Sequence, residues 1–442
     1  MRRGSTPPAN AVRRRRWGQP RRGLRVRGVA ARARVAAVGL IVWLGGAGVG
    51  GGCASKPDWE QAGAKPLAVQ DPAAWETMAG QRSAQRWTGG VSAAGLERPP
   101  LPAAGLQLPR VSPDGRWVAF LDADRQNDPV NPDAWITGRG LEGVSLWVRG
   151  VESEGLARNI AVDHAAWPTW DPRGGRLVYI SHDPDNGPAL GIHDLASGRT
   201  DRLAVGLRNM FTPAVSPSGR YVAVSGYGQI ADHAVIFIVD LETGRAESGP
   251  EATLGGAQLS PRWLDEQTLV YCELDPQGGG LLRWTRGESP VPVAPLELPE
   301  SVFDAIHLHA GVTEPLSPDG RWFGYFAVGR DRLGWVELST AQTSWSPPGY
   351  RAGRWWAGRW CLAAGPQRLT LLELGDVSSA GPPADPDAGP TNADPEPPQM
   401  TLLPGRWVPL WTDAASATML LLGPSEEPDR FRLLQLWVRT HE

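Results

Sequence analysis

Four histidines, His182, His233, His307 and His309, are the residues of this chain best suited to hold a metal. Neutral imidazole is the commonest protein ligand for zinc-like ions. His307-Leu308-His309 would set both rings on one side of a strand, because side chains two apart share a face. His182 and His233 stand in polar stretches, SHDPDN and IADHAV, where Asp183 and Asp232 read as turn residues, so loops are expected at both. DPDNG at 183–187 gathers three oxygen-bearing side chains in five residues, but without the spacing of a calcium loop it reads as a turn. No Cys-x-x-Cys, His-Glu-x-x-His, phosphate-loop or Gly-x-Ser-x-Gly pattern occurs. Motifs therefore assign no catalytic residue, no metal set and no cofactor.

The elements that would position such residues are legible in a repeat. SPDGRWVAF at 112–120 returns as SPDGRWFGYF at 317–326. Ser at i, Pro at i+1 and Gly at i+3 are type I turn preferences, and a strand follows each turn. WDPRGGRLVYIS at 170–181, VSPSGRYVAVSG at 215–226 and LSPRWLDEQTLVYCE at 259–273 lie between them. The turn prolines expected from these copies are Pro113, Pro172, Pro217, Pro261 and Pro318, at spacings of 59, 45, 44 and 57. A four-stranded propeller blade repeats every ~40 to 45 residues, and loop insertions lengthen it. AGRWCLAAG at 357–365 and PLWTDAASATMLLLG at 409–423 are two further, degenerate copies.

WVAFL, RLVYIS, YVAVSG, TLVYCE and WFGYFA are apolar at most positions. Such runs suit strands buried on both faces, as in a blade stacked between two others. Further strands are expected at 145–151, 190–200, 234–247, 333–343 and 369–375, three of them carrying a polar ASG, ETG or STA turn. A short helix at 71–87 is the one helical candidate. Seven units predict an all-β single propeller of seven four-stranded antiparallel blades, with six as the alternative.

The unit (S/D)-P-(D/S)-G-R-x-(V/L)-(A/V), followed by a strand ending in D-L-x-x-G, resembles the WD40-like repeat of TolB-type periplasmic proteins. It also resembles the propeller domains of prolyl-oligopeptidase-like enzymes. The resemblance covers about residues 105–442 and speaks to fold rather than activity. The hydrolase domain of the peptidase relatives has no counterpart motif here. Some propeller lyases hold a metal through histidines of several blades, which is what His182, His233, His307 and His309 would do by analogy.

Charge is unevenly spread. Twelve of the 44 basic residues precede Cys53, leaving 32 against 47 acidic residues, a net charge of −15 for the rest of the chain. An acidic body argues against a nucleic-acid partner, whose phosphates require basic surface. Residues 35–52 carry no charge, and a basic stretch, an apolar core and small residues form the layout of an export signal. Gly-Gly-Gly followed by Cys53-Ala54-Ser55 resembles a bacterial lipoprotein processing site. That resemblance implies removal of 1–52, lipidation of Cys53 and, with Ala54 next, an outer-membrane address where the cell has one. An uncleaved membrane helix over 35–52 is the alternative.

Residues 53–104, rich in Ala, Gly, Pro and Gln, read as a flexible tether, and 105–442 as the propeller. The acidic, Pro-rich stretch 376–400 reads as a disordered insert in the sixth blade. Residues 408–442 would form a seventh blade whose missing strands come from before residue 107, so that no sheet edge stays open. Cys272 and Cys361, in strands of the fourth and sixth units, read as buried thiols. Trp117, Trp322 and Trp360 are expected between blades.

In propellers generally, the segment leading into each innermost strand lies near the mouth of the central channel. Here those segments hold His164, Trp167, Asn209, Phe211, His307 and His309, the expected binding residues. The function these readings support is a non-catalytic, exported, membrane-tethered propeller. Its partner would be an envelope protein or a small ligand, and its membrane contact the lipid on Cys53. A metal-dependent polysaccharide lyase or hydrolase built on the histidines is the alternative.

Overall fold

The Ser112-Pro113-Asp114-Gly115 turn closes when the Gly115 amide donates to the Ser112 carbonyl at 2.9 Å. Ser112 Oγ then accepts the Trp117 amide at 3.0 Å, which fixes where the next strand starts. The same bond is made by Ser216 Oγ with the Tyr221 amide at 3.2 Å, and by Ser317 Oγ with the Trp322 amide at 2.8 Å. Gly115 has φ +72°, and a Cβ there would lie 2.7 Å from the Trp411 ring, so glycine serves both the turn and a close approach by another blade.

The computed structural model describes residues 65–67 and most of 91–440. Within that stretch, 103–105, 123–140, 154–156, 162–163, 229–232, 253–255, 276–277, 297–314, 328–329, 358–359, 366, 375–398, 405–406, 414–417 and 427–429 lie outside the description. Outside it too are the export signal, Cys53, the candidate helix, nearly all of the acidic insert, and His307 and His309.

The described strands form seven antiparallel sheets. Blade 1 comprises Leu106–Val111, Trp117–Asp122, Ser145–Gly150 and Arg158–Ala161. Blade 2 comprises Ala165–Trp170, Arg176–Asp183, Gly187–Asp194 and Thr200–Leu203, and blade 3 Asn209–Val215, Tyr221–Tyr227, Val235–Asp240 and Ala246–Ser248. Blade 4 comprises Ala257–Trp263, Thr268–Asp275, Gly278–Thr285 and Val291–Leu296. Blade 5 has Trp322–Ala327, Arg332–Glu337 and Thr343–Trp345, with its innermost position marked by the bridge between Leu316 and Phe323. Blade 6 is Ala352–Ala357, Trp360–Ala364, Arg368–Glu373 and Gln399–Pro404. The second strands are buried on both faces, as WVAFLD and YVAVSGY show, so each blade is covered by its two neighbours.

Blade 7 closes the ring. Val408–Asp413, Thr418–Pro424 and Arg430–Thr440 come from the C-terminal end, and Val91–Pro102 pairs antiparallel with Arg430–Thr440. Lys65–Leu67 adds a short fifth strand. The last part of the stretch expected as tether, 91–102, is thus a strand. Its Ala-, Gly- and Pro-rich sequence conceals this, because here the partner strand rather than intrinsic propensity supplies the order.

Blade 4 corrects the repeat. Pro261 lies inside the innermost strand, and the turn falls at 264–267, where Leu264 N donates to Thr268 O at 2.8 Å and Asp265 Oδ1 accepts the Gln267 and Thr268 amides. An Asp-based turn replaces the Pro-Gly one. Pro261 belongs instead to a second proline series, Pro109, Pro168 and Pro213, each within an innermost strand.

Cys272 and Cys361 are buried thiols outside any disulfide, each pushed up to about 12 by burial. Trp322 is wholly buried and Trp117 packs at the edge of the core between blades.

Candidate functional site: the mouth face of the ring

Antiparallel pairing gives each blade two ends. The end holding the Ser-Pro turns is braced across blades. Arg176 Nη2 reaches the Gly219 carbonyl at 2.6 Å, and Ser218 Oγ donates to Glu266 at 2.8 Å. The buried Asp171 carboxylate of blade 2 takes the place of the serine hydroxyl, accepting from the Arg173 amide and from the Arg173 and Arg176 guanidiniums at 2.8 to 3.1 Å. Burial alone would raise its pKa, but these hydrogen bonds and the Arg176 charge together bring it below the usual carboxylate range.

The opposite end, where the chain passes into each innermost strand, is the mouth face. Partway along from it, four successive innermost strands share one irregularity. Leu108, Trp167, Thr212 and Ser260 have φ of 43°, 52°, 49° and 54°, and each precedes a proline. At each step the pairing with the second strand slips, between Gln107 and Arg110, Ala166 and Thr169, Phe211 and Ala214, and Leu259 and Arg262. Proline has no N–H to give the ladder, and a bulge there adds the twist that strands at the centre of a ring need. Left-handed φ at a non-glycine residue costs about 1 to 3 kcal/mol, so the surrounding blades must hold these steps in place. The Pro-x-(V/W)-(S/D) pattern of LPRVS, WPTWD and TPAVS was the sequence sign of this feature.

His164, half-buried with φ 55°, stands at the threshold of blade 2. Its amide donates to the Leu141 carbonyl at 3.1 Å and its carbonyl accepts the His182 amide at 2.9 Å. Trp167, also half-buried, packs against the apolar cluster of blades 1 to 3 and against that of blades 3 to 5. Asn209 pairs with Tyr227 at the start of blade 3 and is half-buried, while Phe211 is fully buried with its ring centroid 6.3 Å from that of Tyr227. Phe211 belongs to the apolar cluster packed between blades 3 to 5. Thr212 Oγ1 donates to Ser225 Oγ at 3.2 Å and accepts the Ser260 amide at 3.3 Å, a buried polar link between blades 3 and 4.

Of the four metal candidates, His182 and His233 are among the described residues. His182 lies in the strand Arg176–Asp183 and is buried, against the loop expected for it, because Ser181, His182 and Asp183 continue the ladder opposite Ala189, Pro188 and Gly187. His233 is half-buried just before Val235–Asp240. Among the described residues no group of three or more His, Cys, Asp or Glu is placed to hold a metal. His193 Nδ1 lies 2.8 Å from Thr200 Oγ1, and burial lowers its pKa. DPDNG is a turn, with Asp183 accepting the Asp185 and Asn186 amides at 2.9 and 3.1 Å.

A groove of about 500 Å³ lies on the outer part of blade 2, lined by Arg176, Asp194, Arg199, Asp201, Arg202 and Leu241 among others. Its guanidiniums are already engaged, Arg199 with Asp201, Arg176 with Asp171 and Arg202 with the Gly187 carbonyl.

No family model and no curated protein matches this chain. Solved structures do. TolB from Acinetobacter baumannii is 14% identical with a TM-score of 0.41, over 74% of this chain and 65% of that one. The β-propeller domain of the Trilobed protease from Pyrococcus furiosus is 11% identical with a TM-score of 0.45, over 76% and 94%. A Mycobacterium tuberculosis puromycin-hydrolyzing peptidase is 18% identical with a TM-score of 0.44, over 61% and 51%. The chain thus spans less than two thirds of the TolB chain and about half of the peptidase. Its own strands define the class: a closed, seven-bladed β-propeller.

Proposed function

We propose that this chain is a non-catalytic interaction propeller, exported and tethered to the membrane through a lipid on Cys53. It binds an envelope protein or a small ligand at its mouth face. The observation that carries this reading is the difference between the two faces. On the turn face, short turns are braced by side chains of adjacent blades, as at Gly219 and Ser218. Toward the mouth, His164 and Trp167 stand half-exposed on a backbone already held in left-handed form, and Asn209 stands half-exposed in the ladder opposite Tyr227. Groups fixed in advance lose little entropy on binding, which favours recognition there. The acidic character of the chain beyond Cys53 supports a partner other than nucleic acid.

The test is photo-cross-linking in cells, with the reactive group at position 164 on the mouth face or at position 116 on the turn face. A discrete adduct from 164 and none from 116 is expected. Adducts from 116 alone would move the binding surface to the other face and overturn the reading.

A further inference from the structure

The seam between blade 7 and blade 1 buries a cation without an anion. Arg149, in Ser145–Gly150, is 8% exposed and donates through Nη1 to the Pro100 carbonyl and through Nη2 to the Pro99 carbonyl, both at 2.7 Å. These acceptors are neutral. A guanidinium has five N–H donors and keeps its charge in proteins, so two carbonyls leave three donors and the whole charge unmatched. Arg149 Nε is buried without an acceptor. So is Nε1 of Trp147, two residues earlier and on the same face of the strand. Burial is what lowers the Arg149 pKa, with no neighbouring charge acting on it.

Among the described residues the surroundings do not supply the missing charge. Arg98, next to Pro99, is itself a cation, and Glu152 pairs with it at 2.8 Å while its Nε takes Gln435 at 2.7 Å. Glu97 pairs with Arg432. The carboxylates around this part of the closing strand are thus taken by Arg98 and Arg432, on which Glu426 also acts, and none acts on Arg149. The two prolines sit where the pairing of Val91–Pro102 with Arg430–Thr440 slips between Arg98 and Leu101, so the backbone there offers acceptors but no N–H.

We propose that a small inorganic anion of chloride's size and charge binds in this seam, on the guanidinium of Arg149 and the indole N–H of Trp147. Buried polar groups are nearly always satisfied, and a buried charge is costly unless paired. A water molecule would satisfy a donor and leave the charge uncompensated. An anion does both, and it couples closure of the ring to halide.

The test is thermal unfolding of the full chain at constant ionic strength, with chloride replacing gluconate. The midpoint is expected to rise and saturate, by about 2 °C at tenfold above half-saturation. Trp147→Phe, which removes the N–H together with part of the indole ring, is expected to weaken half-saturation about tenfold. Arg149→Met is expected to abolish the response. A flat midpoint in the wild type, or an equal response in Arg149→Met, would overturn the proposal. If Arg149→Met does not fold, Trp147→Phe decides, and unchanged half-saturation overturns it.

Discussion

The Nε1 of Trp170, on the innermost strand of blade 2, donates to the backbone carbonyl of Arg110 in blade 1 at 2.9 Å. Trp263 of blade 4 does the same to Ala214 of blade 3 at 3.0 Å, and Trp355 of blade 6 to Pro315 at the start of blade 5 at 3.2 Å. In blades 1, 3 and 5 the position held by Trp170 and Trp263 is Val111, Val215 and Leu316. Indole bonds therefore cross the seams between blades 1 and 2, 3 and 4, and 5 and 6, Trp411 Nε1 adds one from blade 7 to the Pro113 carbonyl of blade 1 at 3.0 Å, and the seam from blade 2 to blade 3 is bridged by Arg176.

Trp170→Phe and Trp263→Phe should each lower stability by about 2 to 3 kcal/mol, about 1 from the hydrogen bond and the rest from the packing lost with the smaller ring. The two bonds lie in different seams and share no partner, so the double variant should show the sum. Denaturant unfolding measures both. A strongly sub-additive double variant would show that the seams are coupled.

Asp171 should make part of the stability pH-dependent. Its folded pKa lies below the ordinary value, so its contribution is fully present above the unfolded pKa of about 3.9 and is lost as pH falls through the folded one. Compared with Asp171→Asn, the wild type should keep an advantage of about 2 kcal/mol from neutral pH to about pH 5. That advantage should shrink below about pH 4. An advantage unchanged at pH 3 would contradict the ion-pair account.

The closing strand gives a sharp truncation boundary. Removal of residues 1–90 leaves Val91–Pro102 paired with Arg430–Thr440, and the ring should still unfold cooperatively. Removal through Pro102 exposes that eleven-residue strand as an open edge and strips Arg149 of both carbonyls, so this variant should unfold at lower temperature and self-associate. Calorimetry and light scattering distinguish the two.

Much of this fold was legible because the Ser-Pro-x-Gly turns state their geometry locally. Ser112, Ser216 and Ser317 each place a hydroxyl on the amide that begins the next strand, and the apolar runs after them are buried on both faces. Closure of the ring by residues before 107 was legible too, since three C-terminal strands lack a fourth. What local chemistry could not show were features created by neighbouring blades. Blade 4 turns on Asp265 without proline, so Pro261 took the turn's place in the reading although it sits in the bulge. Phe211 looked like a mouth residue by position, yet packs with Tyr227. His182 looked like a loop residue beside Asp183, yet its strand runs on through that aspartate.

The tether can be tested apart from the propeller. If Cys53 carries the lipid, Cys53→Ala should move the protein from the membrane to the soluble exported fraction. Equal membrane retention with an uncleaved N-terminus in both forms would assign residues 35–52 as a membrane helix instead.

The most direct measurement of the central claim is affinity capture from solubilised membranes with equal amounts of folded wild type, His164→Ala, Asn209→Ala and Arg116→Ala. Arg116 is an exposed residue of the turn face and serves as the control. The mouth-face account predicts a partner retained by the wild type and Arg116→Ala, and reduced about tenfold or more by His164→Ala or Asn209→Ala, a loss of roughly 1.4 kcal/mol. Retention unchanged in both mouth-face variants, with loss in Arg116→Ala, would contradict it.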